Sequence, residues 1–248
     1  MEGTVGQSFN PLWHDERAIC CTASNCMTVL GLTKDSAKIR HLRTSMWKLD
    51  RYVSYAMKYG LEKEPEALET YLRQMKEKDE DAILLKCGMW KNPKYPVLSC
   101  SPDGILRSPK FGRVLVEVKV LVMEHIDPAN FEAMPPQSLR GFYLKRLPDD
   151  TITLKKTHKH YYQVQMSLDI LELPIAHFFC WSKSGSVLCI IPRDETFFNE
   201  KRRRLIAYHR EIVVPEYHLR RTVKRQVPIT LRYQPFHESE DDDFFLTN

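Results

Sequence analysis

The spacing of apolar residues predicts helices in the first third of the chain. Thr22-Ala23-Ser24-Asn25 leads into the apolar stretch CMTVLGL, a pattern typical of a helix start. A second helix is expected to begin near Ser45 and to end at Gly60. Pro65 fits the first turn of a third helix, whose apolar side chains recur at helical spacing: Ala67, Leu68, Tyr71, Leu72 and Met75.

In the middle of the chain the apolar pattern changes to the period of β-strands. Segments 95–101, 105–112 and 113–122 read as successive strands joined by turns, and Ser101-Pro102-Asp103-Gly104 is the first turn. Residues 127–150 hold four of the 15 prolines, which predicts an irregular connection.

The last part of the chain combines helices with a hairpin. A helix over 161–173 is expected to end before Pro174, and Lys183-Ser184-Gly185 separates the two strands of a β-hairpin. An amphipathic helix is expected to follow Asp194. The order of helices, strands, helix, hairpin and helix predicts a mixed α/β or α+β domain.

Composition narrows the class of protein without identifying it. The 248 residues are 43% hydrophobic and 28% charged, which is ordinary for a soluble chain that can build a core. No apolar run reaches the length of a membrane span, so no membrane partner is expected, and residues 1–18 lack the pattern of a secretory signal. The seven cysteines form no CxxC pair, so we expect reduced thiols in a nuclear or cytoplasmic protein that is not secreted.

Charge is distributed unevenly along the chain. The net charge is +5, but residues 237–248 hold five acids and no Lys or Arg, so residues 1–236 carry +10. We expect 1–236 to form a single domain and 237–248 to be a disordered acidic tail. A basic body suits a polyanion such as DNA, although a solvated basic surface is an alternative. The cluster Lys201-Arg202-Arg203-Arg204 resembles a nuclear-import signal or a phosphate-binding stripe, and the solvated face of the last helix is the alternative.

The strand around residue 117 carries the most informative side chains. Glu117 and Lys119 lie on one face, about 7 Å apart along the strand, while valines occupy the other face. A charged pair in a buried strand is costly unless it is paired, hydrated or bound to a metal. A cross-strand ion pair on a half-exposed face would explain the two residues without any chemistry.

Asp103 precedes this strand by 14 residues, and a hairpin between them can return the chain alongside. Pro-Asp-Gly is also a common turn sequence, so Asp103 alone has a purely structural explanation. An Asp followed by Glu-x-Lys on the next strand is the PD-(D/E)xK pattern of metal-dependent nucleases. Two carboxylates and a main-chain carbonyl suit Mg²⁺, which keeps waters for the phosphate oxygens of a substrate.

Further blocks across residues 13–216 resemble the YqaJ-type viral recombinase nucleases, which are related to phage lambda exonuclease and viral alkaline nucleases. The blocks occur in the family's order: Trp13-x-x-x-Arg17 with Thr22-Ala23-Ser24, Gly60-x-x-x-Glu64-x-x-Ala67, Ser101-Pro102-Asp103-Gly104, Val116-Glu117-Val118-Lys119, and Leu154-Lys155-Lys156-x-His158 with Tyr161-Tyr162-Gln163-Val164-Gln165. The resemblance implies a restriction-endonuclease-like PD-(D/E)xK core, an α/β fold whose mixed central sheet is flanked by helices.

The resemblance also implies a metal site. Asp103, Glu117 and the Val118 carbonyl would bind Mg²⁺ with help from Glu64, and Mn²⁺ is expected to substitute for Mg²⁺. Lys119 would orient the attacking water or help to deprotonate it. Glu64 taken alone would be an exposed carboxylate near a helix start. His158 and His160 are weaker candidates as ligands, because a carboxylate site suits Mg²⁺ better.

A second set of residues falls where the family binds a DNA 5′-phosphate: Arg17, Ser24, Ser101 and Gln163. Gln165 fits the register as an alternative to Gln163, and Lys155, Lys156 and Gln165 are candidate contacts to the DNA backbone. The sequence departs from the family at residues 18–21, which read Ala-Ile-Cys-Cys, and after Lys119, where Val-Leu replaces the common Cys-Pro.

The predicted function is that of a Mg²⁺-dependent deoxyribonuclease, a 5′-to-3′ exonuclease on duplex DNA in recombination, repair or replication. An endonuclease acting on DNA or RNA through the same metal site, and a DNA-binding module without catalysis, are the alternatives. By resemblance alone, the expected partners are a single-strand annealing protein and further copies of the chain, in a homo-oligomer such as a trimer.

Overall fold

The structure, a computed structural model, describes residues 2–47, 54–122 and 142–223. The helices are α1 (Pro11–Ala18), α2 (Cys26–Gly31), α3 (Asp35–His41), α4 (Tyr55–Lys76), α5 (Lys159–Leu171), α6 (Glu195–Tyr208) and α7 (Val214–Val223). The strands are β1 (Cys21–Thr22), β2 (Ile83–Leu85), β3 (Trp90–Lys91), β4 (Leu98–Cys100), β5 (Gly104–Ser108), β6 (Gly112–Val120), β7 (Leu144–Arg146), β8 (Ile152–Leu154), β9 (Ile175–Ser182) and β10 (Gly185–Pro192). The predicted acidic tail, 237–248, lies outside the described residues.

The main sheet is mixed, has five strands and follows the order β10-β9-β6-β5-β2. Strand β6 lies at its centre, antiparallel to β5 and parallel to β9, so Glu117 is opposite Phe178 and Lys119 is opposite Cys180. Parallel strands need a crossover connection, and α5 lies in the connection between β6 and β9. The predicted hairpin is confirmed as β9 and β10, which pair along their whole length.

Helices α4 and α5 cover opposite faces of the sheet. Valines of β6 at positions 114, 116 and 118 pack with Ala67, Tyr71 and Met75 of α4. Leu115, on the other face, packs with Val164 and Leu168 of α5. The alternation predicted for this strand is therefore confirmed, and it directs Glu117 and Lys119 to the α5 face.

Two smaller sheets complete the fold. Strands β1, β4 and β3 form one, with β1 parallel to β4, and this pairing brings the Thr22 segment beside Ser99, two residues before Ser101. Strands β7 and β8 form the other, a short antiparallel hairpin. The helical first third packs mainly against α5 and α6 in a core that includes Cys26, Met166 and Phe198.

Two sequence predictions about helices and loops were wrong. Helix α4 does not stop at Gly60 and does not begin near Pro65, because it runs from Tyr55 to Lys76 through both residues. An interior Gly costs about 1 kcal/mol and an interior Pro about 3 kcal/mol, and the burial of Ala67, Tyr71 and Met75 offsets that penalty.

The second wrong prediction concerns 127–150. Part of that segment lies outside the described residues, but Leu144–Arg146 is the strand β7 and not irregular chain. All seven cysteines are buried and free, as expected for reduced thiols. Within the described ranges, no helix is long and apolar enough to cross a membrane.

Candidate active site

Asp103 reaches β6 from the start of β5. Its Oδ2 accepts a 2.7 Å hydrogen bond from the backbone N–H of Val118 and lies 3.9 Å from Lys119 Nζ. Gly104, the next residue, pairs with Val116 and starts the β5–β6 hairpin. The hairpin that the sequence predicted therefore places Asp103 beside the middle of β6, where Glu117 and Lys119 lie.

Glu117 is the centre of the cluster. Its side chain is only 2% exposed, and its Oε1 accepts a 2.6 Å hydrogen bond from Lys119 Nζ and a further hydrogen bond from the amide of Gln163 on α5. Lys119 Nζ also donates to the Val118 carbonyl at 2.8 Å. The shorter ion pair of Lys119 is therefore with Glu117 on its own strand, the longer one is with Asp103 before β5, and the 2% exposure of Glu117 does not fit the half-exposed face of the alternative explanation.

Glu64 joins the cluster from α4, on the segment where the exposed first half of the helix meets its buried second half. Burial is the main cause that raises the pKa of Glu64, to about 7, and the negative charge of Asp103 adds to the shift. Burial and the charge of Asp103 likewise raise the pKa of Glu117 to about 7. Burial raises the pKa of Asp103 as well, against the opposing effect of Lys119. The three carboxylates therefore share one electrostatic environment.

The charges of this environment do not balance. Three carboxylates face one ammonium group, so the fully ionised cluster would carry a net charge of −2 in a mostly buried site, which is costly without a counter-cation. Carboxylates and a main-chain carbonyl are hard oxygen donors, and a divalent cation fits both the donor set and the charge. Among residues 2–47, 54–122 and 142–223, as the side chains now lie, no group of three or more His, Cys, Asp and Glu residues is positioned to hold a metal ion.

Lys119 is held as an ammonium group. Burial lowers its pKa, but the charges of Glu117 and Asp103 outweigh burial and raise the pKa above its ordinary value. A protonated lysine donates hydrogen bonds and neutralises charge, and it cannot accept a proton. Of the two roles expected for Lys119, orienting a water and deprotonating it, this arrangement supports the first.

Three of the four residues predicted to bind a 5′-phosphate are linked through Trp13. Trp13 Nε1 donates a 2.8 Å hydrogen bond to Ser101 Oγ, and the Arg17 guanidinium carbon lies 4.6 Å from the centre of the Trp13 ring. Arg17 also donates to Ser24 Oγ at 2.8 Å. The sequence motif gives Trp13 no role of its own, although the W-x-x-x-R spacing places Trp13 and Arg17 on one face of α1.

Gln163 lies with the carboxylates and not with this group, since its amide donates to Glu117. The prediction that Gln165 contacts the DNA backbone was wrong. Its side chain is 1% exposed, so it is not at the surface in this position. Its amide donates to the Pro192 carbonyl at 2.9 Å and accepts from the Asp194 N–H at 2.8 Å, so it joins β10 to the start of α6. Of the two glutamines, Gln163 is therefore the one whose amide contacts the carboxylate cluster.

The remaining basic candidates lie at the start of α5 and on α6. Lys156 is exposed and forms a 3.0 Å ion pair with Asp194, and Lys155 is half-buried. In the 201–204 cluster, Lys201 donates to the Phe197 carbonyl at 2.8 Å and Arg204 to the Leu30 carbonyl at 2.6 Å. Arg202 forms an ion pair with the buried Asp169. Three of the four basic residues of the cluster therefore make contacts within the protein.

Two further residues lie next to the site: His160, a weaker ligand candidate from the sequence, and Gln7, for which the sequence predicts no role. His160 is close enough to Lys119 that the lysine charge, together with burial as the larger cause, lowers the pKa of His160 to about 2. Gln7 donates from its side-chain amide to the Pro102 carbonyl, next to Asp103. His160 precedes Gln163 by one helical turn, a signal that the sequence contains, whereas nothing in the sequence around Gln7 indicates its contact.

Comparison with solved structures agrees with the fold. An alkaline exonuclease from Laribacter hongkongensis, also solved in complex with dAMP, superposes with a TM-score of 0.59 at 18% identity, over 87% of this chain and 99% of that protein. A phage-related exonuclease from Haemophilus somnus superposes with a TM-score of 0.52 at 11% identity, over 82% of this chain and 96% of that protein. No curated protein is matched by sequence.

The profile of the YqaJ-like viral recombinase domain matches residues 12–171, which is more than half of the chain and includes all the residues of the carboxylate cluster. Members of this family are nucleases, and the mixed sheet between helices is the PD-(D/E)xK nuclease fold that the sequence predicted. The chain belongs to the YqaJ-like viral recombinase family and is an enzyme of the nuclease class.

Proposed function

We propose that the protein is a Mg²⁺-dependent exonuclease that degrades duplex DNA from a 5′ end, in recombination, repair or replication. The observation that carries the proposal is the position of Glu117. It is buried on the central strand, beside Asp103 and Lys119, in a site with more negative than positive charge. This charge excess supports a bound divalent cation, for which Mg²⁺ is the proposed ion and Mn²⁺ the substitute.

Asp103, Glu117, Glu64 and the Val118 carbonyl are the groups that would hold the metal. When bound, Mg²⁺ lowers the pKa of a water and offsets the charge that grows on the phosphate. Lys119 donates to Glu117 and to the Val118 carbonyl, which are two of the groups that would hold the metal. We propose that the ammonium group turns to orient the attacking water, and that Gln163 keeps Glu117 in place.

The proposed end selectivity rests on the group around Trp13. Arg17 offers several donors suited to a phosphate, and Ser24 and Ser101 add hydroxyl groups. We propose that this group binds the terminal 5′-phosphate and so favours processing from ends. Lys155 and Lys156, which lie between β8 and α5, are proposed contacts to the DNA backbone, whose charge they would neutralise in a salt-dependent way.

The two similar solved structures support the proposal of an exonuclease, because both proteins are described as exonucleases and the one from Laribacter hongkongensis was also solved with dAMP. Endonucleolytic cutting, action on RNA, and DNA binding without catalysis are the outcomes that would replace the proposal. A single-strand annealing partner and a homo-oligomer such as a trimer stay proposals by resemblance alone.

The test is degradation of a linear duplex that carries a 5′-phosphate and a label at either end, with Mg²⁺, Mn²⁺ or EDTA. We expect metal-dependent loss of nucleotides from the 5′ end. Lys119→Ala should lower the rate by roughly 10²- to 10³-fold while DNA binding is retained, because a charged donor next to the reacting atoms is removed.

Lys110→Ala is the matched control, since Lys110 lies in the turn at the opposite end of β6, and it should leave the rate unchanged. Cutting of closed circles would replace the exonuclease by an endonuclease. Binding without cleavage under any divalent metal would leave a non-catalytic DNA-binding module.

A further inference from the structure

The segment before α1, residues 2–10, is fastened to the protein at several points, and we call it the N-terminal strap. Thr4 is fully buried, and its hydroxyl accepts a 2.8 Å hydrogen bond from the Met89 N–H. The amide of Asn10 donates to the carbonyls of Gly3 and Val5, while its oxygen accepts from the Leu12 N–H and caps α1. The strap therefore has a defined conformation, although it precedes the segment matched by the family profile.

Within the strap, Gln7 connects two parts of the chain that adjoin the site. Its Nε2 donates to the Pro102 carbonyl at 2.7 Å and to the Cys87 carbonyl at 3.1 Å. Both amide hydrogens thus have an acceptor, and both acceptors are main-chain groups 80 or more residues away. Because both acceptors are main-chain carbonyls, these hydrogen bonds hold the backbone of the two segments in place.

The Pro102 carbonyl belongs to the peptide group that joins Pro102 to Asp103. Because a peptide group is planar, holding its oxygen also fixes the nitrogen of Asp103 and restricts the direction of its side chain. The other end of the same residue is held by the Val118 N–H, which donates to Oδ2. Asp103 is therefore fixed at the carboxylate by β6 and at the backbone by Gln7.

Gln7 adopts a costly backbone conformation at this position. Its φ is 45°, in the left-handed region, and it follows Gly6 at φ 95°. For a residue other than glycine this region carries a cost, which persists only when surrounding contacts impose it. Of the two hydrogen bonds from the Gln7 amide, the one to Pro102 joins this strained turn to the loop before Asp103, and the one to Cys87 joins it to the segment before β3.

We propose that Gln7 is a positioning residue of the nuclease site, whose amide sets the Ser101-Pro102-Asp103 loop and thereby the metal-binding geometry of Asp103. The inference rests on the proposed metal site. It assigns a role to the N-terminal strap that the matched family segment does not include.

The experiment compares three replacements of Gln7 that separate hydrogen bonding from packing. Gln7→Met keeps the size without a donor, Gln7→Glu keeps the shape but brings acceptors against two carbonyls, and Gln7→Lys keeps a donor of similar reach. Ser8→Ala is the control within the strap, because Ser8 contacts His14 through its backbone carbonyl. The readouts are Mn²⁺ affinity by calorimetry without DNA, kcat and KM on duplex DNA, and Tm.

Gln7→Met and Gln7→Glu should weaken Mn²⁺ binding and lower kcat by roughly 10- to 100-fold, as for other partners that orient a metal ligand, with KM within about twofold of wild type. Gln7→Lys should retain more Mn²⁺ affinity and a higher kcat than Gln7→Met, because it keeps a donor. If Gln7 acts only through packing, Gln7→Met should retain more of these two quantities than Gln7→Lys. Gln7→Glu replaces Gln7→Met in this comparison if the Met variant does not fold.

A loss of Tm with unchanged Mn²⁺ affinity and unchanged kcat would overturn the proposal. Wild-type protein that binds Mn²⁺ but cleaves no DNA would refute the proposed function alone. A Gln7→Met variant that binds Mn²⁺ as tightly as wild type would refute the role of Gln7 alone.

Discussion

Two glutamates of the site differ from surface carboxylates in the pH range where they release their protons. Burial, with Asp103 nearby, raises the pKa of Glu64 and of Glu117 from an ordinary 4.5 to about 7. Between these values the folded protein holds protons that the unfolded chain has already lost. Their contribution to stability is therefore complete below pH 4.5 and disappears as the pH rises through about 7.

From this we predict that the metal-free protein has a lower Tm at pH 8 than at pH 6, and that Glu117→Gln reduces the difference. Mg²⁺ should raise Tm more at pH 8 than at pH 6, because at pH 6 the metal must displace protons from its ligands. Thermal unfolding at both pH values, with and without Mg²⁺, measures this. Glu69→Gln, an exposed position on α4, is the control, and a Glu117→Gln variant with the pH dependence of wild type would contradict the prediction.

The separation of Gln163 from Arg17 leads to a second prediction at this scale. Arg17→Ala should reduce the preference for a 5′-phosphate over a 5′-hydroxyl end, because it removes the charged donor next to Ser24. Gln163→Leu should lower kcat by roughly 10- to 100-fold and leave that preference intact, since its amide contacts Glu117. Paired rates on the two kinds of end measure the difference. Equal loss of preference in both variants would return Gln163 to the phosphate-binding group.

At the scale of elements, the contact between β5 and β2 constrains the residue that follows Asp103. A Cβ atom at Gly104 would lie 2.6 Å from Leu84 Cδ1 and 3.2 Å from Leu84 Cγ, which is too close for either atom to stay in place. Leu84 is partly buried and packs against the core between β6 and α4, which limits how far its side chain can withdraw.

We accordingly predict that Gly104→Ala destabilises the protein by about 1–3 kcal/mol, the usual cost of overpacking, and lowers nuclease activity by displacing Asp103. Leu84→Ala in the same chain should restore part of both. Urea unfolding and cleavage rates of the single and double variants test this. If the double variant is no better than the sum of the two single ones, the clash is not the cause.

Several elements could be predicted from sequence because their signals are local. Three predictions depend on neighbours within a few residues, and the structure confirms them: the alternation of Val114, Val116 and Val118, the hairpin at 183–185 and the helix after Asp194. The extent of α4 could not be predicted, since Gly60 and Pro65 are local stop signals that long-range packing overrides.

The site follows the same division. Asp103, Glu117 and Lys119 form a recognisable pattern, and their proximity follows from a hairpin. The burial of Gln165, the contact of Gln163 with Glu117 and the link from Gln7 to Pro102 join segments that are 27, 46 and 95 residues apart. Such contacts depend on how whole elements pack, for which one sequence carries no readable signal.

At the scale of the molecule, charge is distributed unevenly, because the last 12 residues are acidic and the rest of the chain is basic. Removal of residues 237–248 would change the net charge from +5 to +10. We predict that this deletion strengthens DNA binding several-fold at low salt and has little effect at high salt, because long-range repulsion between the tail and a polyanion is screened. Binding measured over a salt series tests this, with the five acids replaced by amides in a full-length control. Equal affinity at low salt would contradict the prediction.

The parallel pairing of β6 with β9 also bears on the time at which the protein becomes active during its synthesis. Glu64, Asp103, Glu117 and Lys119 are all made within the first half of the chain, but the strand that flanks β6 is residues 175–182. Pairings between distant segments form late, because loop closure must precede them. A ribosome-bound chain that already contains every proposed metal ligand would therefore still lack β9, the strand that pairs with one side of β6. Nascent chains should be unable to cut nucleic acid until synthesis has passed β9.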